Sequence, residues 1–262
     1  VSLPFLSRKK AEFGVGIARM EDRYFQTNII DFSETKHDKS TYSIFGGSIV
    51  LEGSTLNARQ FATQGSREKM AAQIFTGTEH FRSGASKVTK DTPEPYKKVQ
   101  SWLQVSYQNE TYHKVSPKFT LGAYLEAYYS SRNFSNNYTA TLMQAGEFTP
   151  TAHSKVTYNE AFRANQYAGV GAMPIYQLSE SFQLRGEFYG FVPIFPIKKD
   201  EYGQAYYGKA FTKFEYLGEI SLVFQLSFGS ISAYVNHYSS PSNDWNVGLT
   251  LGWQLFNSRF IE

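Results

Sequence analysis

The sequence predicts an all-β fold, a transmembrane antiparallel β-barrel, and three observations carry that expectation. Several segments alternate apolar and polar residues with period two over about a dozen positions, and roughly 9–11 tilted residues suffice for a strand to cross a bilayer. Aromatic residues are abundant, with 19 Tyr and 22 Phe among 262 residues, as expected where rings form girdles at two membrane interfaces. No apolar run approaches the roughly 18–20 residues of a membrane helix. The mean hydropathy of −0.40 suits strands that turn one face to lipid and the other to a polar lumen.

The alternation is clearest at 245–256. Trp245, Val247, Leu249, Leu251, Trp253 and Leu255 share one face; the opposite face, Asn246, Gly248, Thr250, Gly252, Gln254 and Phe256, is small and polar apart from its last residue. At 119–129 Leu121, Ala123, Leu125 and Ala127 oppose Thr120, Gly122, Tyr124 and Glu126, and at 214–226 Tyr216, Ile220, Leu222 and Phe224 oppose Glu215, Glu219, Ser221 and Gln225. The odd positions of 245–255 are therefore expected to face lipid. Weaker strands are expected at 11–19, 22–32, 40–52, 66–76, 98–108, 165–173, 181–192 and 230–238, giving about 11–12 strands in a single barrel domain over 1–262. Long polar connections at 77–97, 131–163 and 193–212 fall at one end and short ones such as 227–229 at the other, the habit of outer-membrane barrels. A long turn at 53–65 is the exception. Bacterial barrels have even strand numbers, so an outward strand is expected ahead of residue 11. Residues 1–6 supply part of it, and the natural chain is expected to begin upstream. The first six residues lack the charged start and apolar core of a signal peptide, as after signal removal or within a longer chain.

Composition narrows the chemistry. Without cysteine there is neither a disulfide framework nor a thiolate metal site, and a net charge of +3 spread along the chain does not point to nucleic acid. No G-x-S-x-G elbow, H-E-x-x-H pair or phosphate-cradling Gly-rich loop occurs. His37, His80, His113, His153 and His237 are scattered and are expected to be isolated surface groups. Glu126, Glu187, Glu215 and Glu219 fall on the lumen parity, where pairing with Arg and Lys is expected. No catalytic residue, metal or cofactor is implied.

Two positive signals stand out. Asn246-x-Gly248-x-x-Leu251-x-Trp253 fits the polar-x-Gly-x-x-apolar-x-apolar pattern of the last strand in assembled outer-membrane barrels, where an exposed edge accepts strand addition. Phe162-Arg163-Ala164-Asn165 places an arginine where the longest connection enters a strand.

Six segments resemble, in order, the C-terminal surface-antigen barrel of bacterial patatin-like phospholipases, a member of the outer-membrane assembly and translocator superfamily. They are 57–67 (NARQFATQGSR), 77–84 (GTEHFRSG), 138–154 (YTATLMQAGEFTPTAHS), 162–166 (FRANQ), 184–191 (LRGEFYGF) and 252–262 (GWQLFNSRFIE). The resemblance implies a 16-stranded barrel of which this chain supplies about the last eleven strands. It also implies that the 131–163 connection folds into the lumen. Arg163 matches the arginine of that loop's Arg-Gly-aromatic motif, but Ala164-Asn165 replaces Gly-aromatic, which weighs against protein translocation. The motif's arginine bonds an acid on the neighbouring strand, where Glu187 is the one carboxylate, so an Arg163–Glu187 pair locking the loop inside is expected. The rival arrangement pairs Arg185 with Glu187 and leaves Arg163 in water.

The resemblance implies a barrel that anchors, and could export, a patatin-like phospholipase domain in the bacterial outer membrane. Its expected partners are outer-membrane lipids, the barrel assembly machinery and a covalently linked upstream hydrolase. The relatives' Ser–Asp dyad has no counterpart here, so no enzyme activity is expected of this chain. A translocator or assembly barrel of the same superfamily and a stand-alone porin-like barrel are the alternatives.

Overall fold

The computed structural model describes residues 2–6, 9–25, 37–84, 95–240 and 245–253. It opens with six successive strands, β1 (Ser2–Leu6), β2 (Lys9–Tyr24), β3 (Asp38–Ser54), β4 (Gly65–Arg82), β5 (Tyr96–Ser116) and β6 (Phe119–Ser130). The long connection after β6 holds the short helix α1 (Tyr138–Gln144) and the two-residue strands β7 (Gly146–Glu147) and β8 (Arg163–Ala164). Strands β9 (Gln166–Gln177) and β10 (Phe182–Pro193) follow, then a small hairpin of β11 (Ile197–Lys199) and β12 (Ala205–Tyr207). The chain ends in β13 (Glu215–Leu226), β14 (Gly229–Tyr238) and β15 (Trp245–Trp253).

Eleven of these strands form one antiparallel sheet in the order β1-β2-β3-β4-β5-β6-β9-β10-β13-β14-β15. Each long strand pairs with its nearest long neighbours in the chain, so the sheet is a meander. The expected all-β antiparallel architecture is therefore present. Among the described residues β1 and β15 are its two edges, and no pairing closes it into a barrel.

The strand count agrees with the sequence reading, but its composition differs. The strands expected at 11–19 and 22–32 are not separate: β2 runs unbroken through Arg19-Met20-Glu21-Asp22. The acidic pair resembles a turn, yet Glu21 is held in the ladder by Lys39 of β3 at 2.5 Å and Arg23 at 2.6 Å. The remainder of the expected second strand, 26–32, lies outside the described residues. The place of the lost strand is taken by β1, paired with β2.

The connections after β2, β4, β6, β10 and β14 join strand ends at one end of the sheet. Those at the other end are short, except for 55–64 between β3 and β4. Period two then sorts the side chains. One face carries Val15, Ile17, Phe45, Ile49, Ile74, Leu103, Leu121, Leu125, Val170, Leu184, Phe188, Ile220, Leu222, Val247, Leu249 and Leu251, all exposed. The opposite face carries Glu79, Gln183, Arg185, Glu187, Glu219, Ser221, Ser232 and Asn236, all buried. The covered face also holds apolar residues, among them Met173, Ile175, Phe191, Leu217 and Val223, but a soluble sheet would not leave the other face so broadly apolar.

The sheet is strongly curled about its polar face. Gln60, in the turn between β3 and β4, accepts a hydrogen bond from Ser230 Oγ of β14 at 2.8 Å. Strands β4 and β14 stand six positions apart, which in a flat sheet would separate them by about 29 Å at the usual interstrand spacing. Contact across that span requires the polar face to be concave.

Candidate functional site

The concave face is filled by the chain itself, from both ends. From the short-turn end comes 55–64, shaped by Asn57, whose side-chain oxygen accepts from the backbone N–H groups of Thr63 and Gln64, each at 3.0 Å. Gly65 closes this turn at φ +91°, where an added Cβ would lie 2.2 Å from the Thr55 carbonyl oxygen. Phe61 also has a positive φ, 52°, a conformation that costs a non-glycine residue free energy and persists only where surrounding contacts fix it. Those contacts are visible: its carbonyl accepts from Gln225 Nε2 at 3.2 Å and Gln183 Nε2 at 3.4 Å, and its ring lies 5.7 Å from the Arg185 guanidinium.

Arg185, 2% exposed, is the hub of this contact. Its Nη1 donates to the Ala62 carbonyl at 2.9 Å, Nη2 to the Tyr112 hydroxyl at 3.3 Å and Nε to Glu187 Oε1 at 3.2 Å. A guanidinium carries five donors and is always charged, so several acceptors and a carboxylate must surround it in such a buried place.

From the long-connection end comes 131–165. Its first part lies on β2–β5. Asn137 caps α1 by accepting from Ala140 N at 2.9 Å, while its Nδ2 donates to the Tyr24 hydroxyl at 3.0 Å. One cap group thus both starts the helix and fastens it to the wall. Arg132 lies over the Trp102 ring at 4.6 Å and the Tyr42 ring at 5.1 Å, and donates to Gln144 Oε1 at 2.7 Å; Gln144 Nε2 in turn donates to Asp22 Oδ2 at 2.7 Å. Burial pulls the Arg132 pKa below its ordinary value, although a guanidinium stays protonated at any pH of interest.

The middle of the connection is an aromatic plug. Phe148 packs among Tyr124, Phe162, Tyr167, Tyr189 and Phe191. The Tyr167 hydroxyl donates to Glu126 Oε1 at 2.6 Å and to the Glu147 carbonyl at 3.0 Å, and the Tyr124 hydroxyl donates to the other Glu126 oxygen. The last part reaches β13 and β14. There His153 Nδ1 donates to Glu219 Oε1 at 2.6 Å, and its ring stacks on Tyr234 with centroids 3.5 Å apart. Asn236 Nδ2 supports the second Glu219 oxygen at 3.4 Å.

Several expectations for this site need correction. Arg163 and Glu187 are not partners. Arg163 Nη2 pairs with Glu147 Oε2 at 2.8 Å across the β7–β8 ladder, Nη1 donates to the Leu142 and Met143 carbonyls at 3.3 Å, and the guanidinium covers the Tyr158 ring at 4.6 Å. Glu187 pairs instead with Arg185. The alternative in which Arg163 stays in water does not hold either. The physical reason is reach: Arg185 and Glu187 are two residues apart on one strand face, whereas β8 gives Arg163 a closer acid within its own loop. His153 is buried, contrary to its expected surface position. Of the four acids expected from the sequence on the lumen parity, Glu187 pairs with Arg185 and Glu215 with Lys213 at 3.3 Å, but Glu126 is held by tyrosine hydroxyls and Glu219 by histidine.

The last-strand residues fall as their alternation predicts. Leu251 is exposed on the apolar face, while Asn246 and Gly248 lie on the concave side. A Cβ at Gly248 would sit 2.5 Å from the Tyr234 hydroxyl oxygen. That glycine makes room for the ring against which His153 stacks. The Trp253 backbone pairs with Gly229; its side chain and residues 254–262 lie outside the described residues.

Sequence reasoning missed Glu147, His153, Arg132 and Asn137. Only Asn137 left a signal, as an N-cap type just before a short helix-forming run. No group of three or more metal-ligating side chains occurs among the described residues. No helix among them is long and apolar enough to cross a membrane, which says nothing of strands. No protein-family model and no curated protein matches the sequence.

Proposed function

We propose that this chain forms the wall of a bacterial outer-membrane β-barrel whose lumen is occupied by its own in-folded loop and turn. In this reading the chain serves as a membrane anchor, not as an open pore. One observation carries the reading: the exposed face of the sheet carries an apolar belt from β2 to β15, while the covered face holds buried charged and polar groups beside an aromatic cluster. A soluble domain cannot leave so wide an apolar surface in water, because patches beyond a few hundred Å² ordinarily meet a partner or a membrane. Lipid covers such a surface, and the polar lumen then explains why Arg185, Glu187 and Glu219 lie inside.

Closure needs further strands between β1 and β15, and the superfamily resemblance puts the total at sixteen. The same resemblance assigns the anchored cargo as a patatin-like phospholipase domain upstream on the same polypeptide. A translocating role is disfavoured by Ala164-Asn165 and by a loop fastened to both walls. Leu249 is 82% exposed near the middle of β15, next to Thr250 on the opposite face. Leu249→Arg should cost roughly 2–4 kcal/mol at mid-bilayer depth, and Thr250→Arg much less. Urea titration of the chain folded in phosphatidylcholine vesicles measures both, and equal losses would remove the lipid-facing assignment.

A further inference from the structure

Just above the apolar belt, at the long-connection end of β2–β5, the outward face turns abruptly basic. Arg23 stands directly opposite Lys39, and Lys39 opposite Arg82. In the next row His80 stands opposite Lys97, and Arg19 occupies the row nearest the belt. Like charges placed directly opposite across a sheet destabilise it, so this row opposes the strand pairing that creates it. Glu21 is the one carboxylate on this part of the face among the described residues. It bridges Lys39 and Arg23, and Arg19, Arg82 and Lys97 have no ion-pair partner among the described residues. The neighbouring acids Asp22, Asp38 and Glu79 have the opposite parity and belong to the concave side. Between the cations lies a groove of 630 Å³ lined by Arg19, Lys39, His80, Arg82 and Lys97. On the same face below it lie exposed Ile17, Phe45 and Ile74.

We propose that this groove binds the net-negative phosphate headgroup of a lipid in the leaflet at the long-connection end, with the acyl chains lying on Ile17, Phe45 and Ile74. The inference rests on the lipid-facing reading above. Charge complementarity selects the headgroup: several cations on neighbouring strands, three of them with no ion-pair partner among the described residues, hold a phosphate that one alone would not. The exposed apolar residues on the same face below the groove favour a lipid over a free anion, because acyl chains need such a surface. The patch also explains its own electrostatic cost, since the anion removes the repulsion between Lys39 and Arg82.

The test uses the full chain folded into phosphatidylcholine vesicles containing a minor fraction of phosphatidylglycerol. Native mass spectrometry then counts the lipids retained on release. Wild type should retain phosphatidylglycerol far above its share of the bilayer. Each cation removed should lower that preference roughly fivefold, so R19Q/R82Q/K97Q should lower it about a hundredfold. Glu21→Gln, which frees Lys39 and Arg23, should raise it. Unchanged retention in the triple variant, with insertion shown by protease protection, overturns the proposal and leaves the lipid-facing reading standing. Failure of wild type to insert at all removes that reading, and the proposal with it. Displacement of the lipid by inorganic phosphate alone would make this a free-anion site and would also overturn the proposal.

Discussion

Gly169 of β9 lies directly against the Phe148 ring of the plug, and adding one methyl group there should push the two apart. A Cβ at this position would lie 2.1, 2.6 and 2.8 Å from three carbons of the Phe148 ring. Restoring ordinary contact near 3.4 Å requires the ring to withdraw by about 1.3 Å. It cannot do so freely, because Phe191 stacks on it at 5.5 Å and Tyr167, Tyr124, Tyr189 and Phe162 surround it at 6.0–6.5 Å. Overpacking of this kind costs about 1–3 kcal/mol, and removal of the ring by Phe148→Ala about 3–5 kcal/mol. The two losses should not add. Once Phe148 is gone, the new methyl group enters space already vacated, and Gly169→Ala in that background should cost close to nothing. Urea titrations of wild type, both single variants and the double variant complete the cycle. Additive losses, or a neutral Gly169→Ala in the wild-type background, would refute the packing argument.

His153→Ala removes the ring donor from one oxygen of buried Glu219, leaving only Asn236 on the other, and should destabilise the chain by about 1–3 kcal/mol. Limited proteolysis should then cut within 131–165 sooner than in wild type, and unchanged cleavage would dissociate His153 from plug retention. Arg163→Ala should show coupling with Glu147→Ala in a double-mutant cycle and none with Glu187→Ala, whereas the reverse result would restore the partnership expected from sequence. The chain alone should hydrolyse no ester or phospholipid substrate above a heat-killed control. Activity abolished by changing one Ser or His of this chain would overturn that expectation.

The strands were legible in the sequence because one physical pattern specifies both where a strand lies and which face it exposes. At 119–129 and 214–226 the parity read from apolarity is the parity observed. The long excursion at 131–163 was legible as a loop from its polarity, and its inward course only through resemblance. Its contacts were not legible, because period-two reasoning gives no information about a segment with neither strand nor extended helix. Arg163 illustrates this: its partner Glu147 is set by a two-residue ladder that carries no pattern. His153 shows the complementary failure. A lone histidine in a polar stretch looks like a surface group until Gly248 and Tyr234, some 80–95 residues later, make a slot for it.

The turn between β3 and β4 has a consequence for the order in which the chain reaches its final state. The hydrogen bond from Arg185 to Ala62 joins residues 123 apart in sequence, and that from Ser230 to Gln60 joins residues 170 apart. During synthesis neither can form until β10, and then β14, has emerged, so the strained backbone at Phe61 has nothing to hold it for most of that time. Bringing such distant segments together costs chain entropy before any contact repays it, and folding slows accordingly. The early strands can pair locally as a ribbon, but the turn should remain unlatched until the last hairpins arrive. Fastening of this turn over the concave face is then a late event, and an escort protecting the early strands would be needed for longest here.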